Sequence, residues 1–219
     1  MAEAIEKQQI LSAWGGGVRP YAVGDKKLGM WLFILSDSLT FAALLVGYSY
    51  VRLSSEVWPT PFSFSPSIVF STIMTACLLS SSFTMVMAVS ASVRGNRSGV
   101  VKWLLATMVL GAAFIVLHLI EWMHLINDEG LRPFQIPQAW IKEFGDGASP
   151  LFGATFFTIT GLHMFHVFTG VIYLGVIAAL TAGKKTSHED VEISGLYWHF
   201  VDLVWMFVFP MIYLLSIKA

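Results

Sequence analysis

The chain has 219 residues, 56% of them hydrophobic and only 12% charged, with a mean hydropathy of +0.69. A soluble domain carries about 25% charged residues, so the composition excludes one and indicates a membrane protein. The net charge of -1 gives no basic field for nucleic acid, and the single Cys77, inside an apolar run, excludes an intrachain disulfide and a cysteine metal cluster.

Residues 1–27 mix Glu3, Glu6 and Lys7 with Gly15, Gly16, Gly17 and Pro20. They read as an irregular cytoplasmic tail without the short apolar segment and cleavage site of a signal peptide. The first apolar segment is therefore expected to stay in the membrane. The remainder, 28–219, reads as one five-helix transmembrane domain. Its spans fall at about 28–51, 67–93, 101–125, 151–182 and 194–217, each reaching the roughly 20 residues a bilayer core needs. Arg52 stops the first span, and Trp58-Pro59-Thr60-Pro61 follows as an interfacial turn. Arg94-Gly95-Asn96-Arg97 ends the second. Residues 127–150, with Pro133 and Pro137, read as the longest loop, and Gly183-Lys184-Lys185 ends the fourth span.

Five spans put the termini on opposite sides. The side holding Lys7, Arg19, Lys26, Lys27, Arg94, Arg97, Lys102, Lys184 and Lys185 has nine of the 13 basic residues. The other has Arg52, Arg132, Lys142 and Lys218. The excess predicts a cytoplasmic N-terminus and an external C-terminus. The fold class is thus an all-α membrane protein, a bundle of five transmembrane helices. Small residues on span two (Ser71, Thr75, Ser81, Ser82) and span four (Gly153, Gly161, Gly170, Gly175) are those that let helices approach closely in lipid.

The candidate functional residues are the polar groups inside the spans: Asp37, His118, Glu121, His163, His166, His199 and Asp202. Apart from Lys102 at the very start of the third, no Lys or Arg lies in any span, so the acids have no ordinary ion pair inside the spans. Each must be protonated, hydrogen-bonded to histidine or hydroxyl, or wet. His118 with Glu121, and His199 with Asp202, have the i, i+3 spacing that allows contact on one helix face. Two readings stay open. These groups tie helices together by hydrogen bonds, or they form part of a proton relay. A haem or metal ligand role for the histidines is disfavoured, because the i, i+3 spacing of His163 and His166 does not place both on one iron. The chain also lacks the His-Glu-x-x-His and repeated Glu-x-x-His patterns.

Three segments carry a resemblance. Lys27-Leu28-Gly29-Met30-Trp31-Leu32-Phe33-Ile34-Leu35-Ser36-Asp37 resembles the first retained span of subunit III of haem-copper cytochrome oxidases, where Ser-Glu is usual in place of Ser36-Asp37. Thr160-Gly161-Leu162-His163-Met164-Phe165-His166-Val167 is similar to the family's Thr-Gly-x-His-x-x-His-Val segment. Tyr197-Trp198-His199-Phe200-Val201-Asp202-Leu203-Val204-Trp205 is the most specific of the three. Glu121-Trp122 resembles a Glu-Tyr pair, and His118 stands where the family often has Gln. The resemblance starts at about Lys27 and is closest to the short five-helix bacterial form.

The resemblance implies an accessory subunit with no catalytic residue, metal or redox cofactor of its own. Haem and copper are expected in partner subunits, and phospholipid is expected to be bound. It further implies partnership with oxidase subunits I and II, in a complex that reduces O2 to water with proton pumping, in the bacterial cytoplasmic (inner) membrane. Subunit III would support stability, lipid binding and proton uptake of subunit I. Membership of a larger respiratory supercomplex and the electron donor stay open. The alternatives are a subunit III-like component of a quinol oxidase or nitric oxide reductase, an independent proton-coupled transporter, and a small membrane haem protein.

Overall fold

A computed structural model describes residues 24–145 and 147–218. The expectation of an irregular tail over residues 1–23 lies outside them. Among the described residues six α-helices follow in order: α1 Asp25–Ser54, α2 Val69–Val93, α3 Arg97–Asn127, α4 Gln138–Phe144, α5 Leu151–Ala182 and α6 His188–Val208. A π-helical turn, Phe64–Ile68, leads into α2. Another, Phe209–Tyr213, and a last turn, Leu214–Ser216, continue α6. All but α4 are long and apolar enough to cross a membrane, which makes five candidate spans. Only isolated bridges, such as Phe62 with Ile217, stand in for strands among the described residues.

Helix ends depart from the apolar spans for local reasons. Lys26 and Lys27 belong to α1, whose first turn starts at Asp25. α6 starts at His188, ahead of the apolar run, because Ser187 and Asp190 form a reciprocal capping box. Pro210 has no amide hydrogen to give, and the chain widens there into a π-helical turn. The expected long loop also contains α4. Its Trp140 is buried against Phe152 at 5.7 Å and its indole N–H donates to Glu129 at 3.1 Å. Seven residues are too few for a hydrophobic period to show in the sequence.

α2 packs most closely on α3, α3 on α5, and α6 against α2, α5 and α1. Lys26–Asp190 at 2.8 Å and Lys27–Glu192 at 2.6 Å join the starts of α1 and α6. Arg52 Nη2 donates to the Leu215 carbonyl and joins their ends, so the two helices run parallel. Half of the apolar window of α6 is buried within the chain, against 6% for α1. α6 is thus the central helix and α1 the peripheral one, with Trp31, Leu32, Leu35, Leu39 and Val46 exposed along it.

The core depends on close approach around two indoles. A Cβ at Gly111 of α3 would lie 2.6 Å from the Trp198 ring, and one at Gly170 of α5 3.0 Å from Trp198 and Tyr197. The two glycines form the slot in which fully buried Trp198 sits. About two turns further along α6, Trp205 is covered by Phe114, 4.9 Å between centroids and edge-on. Edge-to-face aromatic pairs contribute about 0.5–1.5 kcal/mol beyond their buried area.

Candidate functional site

The polar residues of the spans do not form one site. They fall into three groups, set by which helix faces meet. The first lies where α1 crosses α5. His166 Nε2 stands 3.3 Å from Asp37 Oδ2, and both side chains are largely shielded. His166 Nδ1 is 2.8 Å from the Leu162 carbonyl. A carbonyl only accepts, so Nδ1 carries a hydrogen, and Nε2 of the neutral ring is then bare. The Asp37 carboxyl and the His166 imidazole thus face each other across two helices. Phe41 covers the imidazole edge at 5.4 Å. Tyr197 of α6 donates to the His166 carbonyl at 3.0 Å.

The second group surrounds Trp205. His163 stacks on the indole at 4.9 Å and 28°, and His118 meets it edge-on at 5.6 Å. Phe114 lies against both imidazoles, at 5.6 and 5.7 Å. Both histidines are fully buried, and none of their ring nitrogens has a hydrogen-bond partner among the described residues. His163 therefore bonds neither Thr160 nor the serines of α2. Thr160 donates to the Phe156 carbonyl instead.

Glu121, in the third group, is buried at the far end of α3. It does not bond His118, although the spacing allows it. One carboxylate oxygen accepts from Ser71 of α2 at 2.8 Å, and the other from the Tyr213 hydroxyl, beyond α6, at 2.6 Å. The i, i+3 expectation fails again on α6. His199 Nδ1 bonds Ser82 of α2 at 2.6 Å, and neither Asp202 oxygen has a partner among the described residues. The Ser82 hydroxyl lies beside Asp202 but is taken by His199. On each helix the residue three positions away points past its neighbour to another helix, because packing rather than spacing decides the partner.

Sequence reasoning did not find Ser71, Thr75, Ser81, Ser82 and Tyr213 as the partners of these groups. The signal for the first four was the run of hydroxyls on α2. Thr75 accepts the Trp205 N–H at 3.0 Å and gives its own proton to the Ser71 carbonyl at 2.9 Å. Ser81 does the same for Trp198, accepting at 2.9 Å and donating to the Leu78 carbonyl at 2.6 Å. Indole N–H only donates, and the hydroxyl protons are committed to backbone carbonyls. These bonds hold helices together and offer no chain of exchangeable protons along α2. Among the described residues no three His, Cys, Asp or Glu side chains converge as a metal ligand set.

The arrangement can be set beside known proteins. The family model described as cytochrome c oxidase subunit III matches residues 16–217, beginning ahead of the Lys27 at which the motif resemblance starts. A cytochrome c oxidase subunit 3 from Alkalihalophilus pseudofirmus is 31% identical over 199 residues, covering 88% of each chain. A quinol oxidase subunit 3 from Bacillus subtilis is 31% identical over 195 residues, covering 87% of each. A cytochrome bo(3) ubiquinol oxidase subunit 3 from Pseudomonas putida is 32% identical over 196 residues, covering 87% of this chain and 86% of its own.

Proposed function

This chain belongs to the cytochrome c oxidase subunit III family, and from that premise we propose that it is a non-catalytic accessory subunit of a haem-copper terminal oxidase. It lies beside subunits I and II, which carry the haem and copper, in a complex that reduces O2 to water with proton pumping. It is a multi-pass protein of the bacterial cytoplasmic membrane, with its N-terminus cytoplasmic and its C-terminus external. It stabilises the complex, binds phospholipid and assists proton uptake by subunit I.

The observation that carries this reading is the family match across the whole five-helix body. Two structural facts support it. The indoles of Trp198 and Trp205 and the carboxyl group of Glu121 are used in interhelix bonds, as a supporting subunit requires. The peripheral α1 leaves an apolar face uncovered by its own chain, which suits lipid and a neighbouring subunit. Basic residues at the α1 end of the bundle support the orientation.

The test is purification of the tagged chain from its native membrane in mild detergent, with haem, copper and subunit content measured before and after a stripping detergent. Haem and copper that arrive and leave with larger partners support the proposal. Haem that stays with the isolated chain overturns it. A second reading, in which the complex takes electrons from a quinol, is favoured by the similarity to quinol oxidase subunits at equal identity. The catalytic subunits recovered in the same preparation, assayed with cytochrome c and with quinol, separate the two.

A further inference from the structure

At the end of the bundle where α1 and α6 begin, a cavity of about 400 Å³ opens between the α2–α3 turn and the α5–α6 loop. Its polar lining comes from Ser92, Arg97, Thr181, Thr186, Ser187 and His188, over a floor closed by buried Val100 and Val191. Arg97 and His188 are the only ionisable residues in that lining. The acids of the same α6 turn are directed elsewhere. Asp190 is held by Lys26 at 2.8 Å and by the Ser187 amide at 2.9 Å, and the Glu189 carboxylate lies against Gly24.

The Arg97 side chain makes no hydrogen bond or ion pair among the described residues, whereas that of nearby Arg94 is bound to the Ser90 hydroxyl at 2.8 Å and to the Ser90 carbonyl at 3.2 Å. A guanidinium with its donor fork free, facing a polar cavity without carboxylates, matches an oxyanion that accepts in two places. His188 adds a second group. When its Nδ1 accepts from Ser92, at 3.1 Å, its Nε2 carries a hydrogen to donate. α3 and α6 both begin at this cavity, so their partial positive charges add to that of Arg97. α2 ends at Val93 and α5 at Ala182, which puts the cavity level with the ends of the apolar helices, the depth of lipid headgroups.

We infer that this cavity binds a phosphate group, with Arg97 as its principal ligand and His188 as a second donor. The phosphate comes from a lipid headgroup or from a free phosphate in the aqueous phase. The lipid-headgroup source rests on the phospholipid binding proposed above; the free-phosphate source needs only the two loops and the charges that face each other there.

The test uses the intact purified complex after delipidation. Radiolabelled inorganic phosphate and radiolabelled short-chain phosphatidylglycerol are titrated separately against the unaltered complex, Arg97→Gln and Arg94→Gln. The expected result is binding that Arg97→Gln weakens about tenfold or more, the loss of a charge-assisted contact, while Arg94→Gln leaves it unchanged. Arg97 is exposed, so the substitution leaves the core intact. Arg97-dependent binding of the lipid alone identifies a headgroup as the source, and of inorganic phosphate alone a free anion; either supports the site. Binding of neither probe, or equal weakening by Arg94→Gln, overturns it.

Discussion

Asp37 and His166 meet at 3.3 Å across α1 and α5, with the far nitrogen of the imidazole committed to the Leu162 carbonyl. The contact ties the peripheral helix to the body of the bundle at a depth where neither group has a Lys or Arg to pair with.

Asp37→Asn is expected to keep this contact, because an amide N–H can donate to the bare Nε2. The complex should assemble with its full haem content. Asp37→Leu leaves the ring nitrogen unpaired and should lower stability by about 1–3 kcal/mol. Subunit stoichiometry, haem-to-protein ratio and thermal unfolding in detergent check both. Loss of haem from the Asn variant would contradict a supporting role for Asp37.

Tyr213→Phe removes the hydroxyl that donates to Glu121 at 2.6 Å, in a fully buried position. The expected cost is about 1–3 kcal/mol, the range for leaving a buried acceptor unsatisfied. Ser71→Ala should cost a similar amount, and the two together should depart from additivity because they share one carboxylate. A double-mutant cycle by thermal or denaturant unfolding measures this. Strict additivity would mean that the two donors act independently.

Gly111→Ala and Gly170→Ala place a methyl group against the Trp198 ring, at 2.6 and 3.0 Å. Overpacking of this kind costs about 1–3 kcal/mol. Gly29→Ala on α1 meets nothing within 4 Å in the chain and should be neutral or stabilising by up to about 1 kcal/mol. Expression level and midpoint of thermal unfolding rank the three. A neutral Gly111→Ala would show that α3 and α6 can separate freely.

Ser81→Ala leaves the buried indole N–H of Trp198 without its acceptor, at a cost of about 1–3 kcal/mol. Ser81→Thr keeps the hydroxyl and should recover most of that, less any strain from the added methyl group. Unfolding midpoints of the two variants distinguish loss of the bond from loss of volume.

The number of helices able to cross a membrane, and their approximate positions, were legible in the chain because hydropathy is a local property summed over about 20 residues. The polar residues that mattered were legible too, since a carboxyl or imidazole in an apolar run is conspicuous. Their partners were not. His118 and Glu121 share a face by spacing, yet Glu121 bonds Ser71 and Tyr213 while His118 packs against Trp205. His163 and His166, three apart, face different helices.

The sequence by itself determined the spans, the absence of internal cations to pair with the acids, and the motifs that assign the family. Only the tertiary structure decided that Asp37 answers His166, that Glu121 joins three chain segments, and that Gly111 and Gly170 make room for Trp198. The reason is physical. Spacing sets the angle of a side chain about its own helix, but a contact also needs the rotation, depth and separation of a second helix. Those follow from packing all the helices at once, which no local window contains.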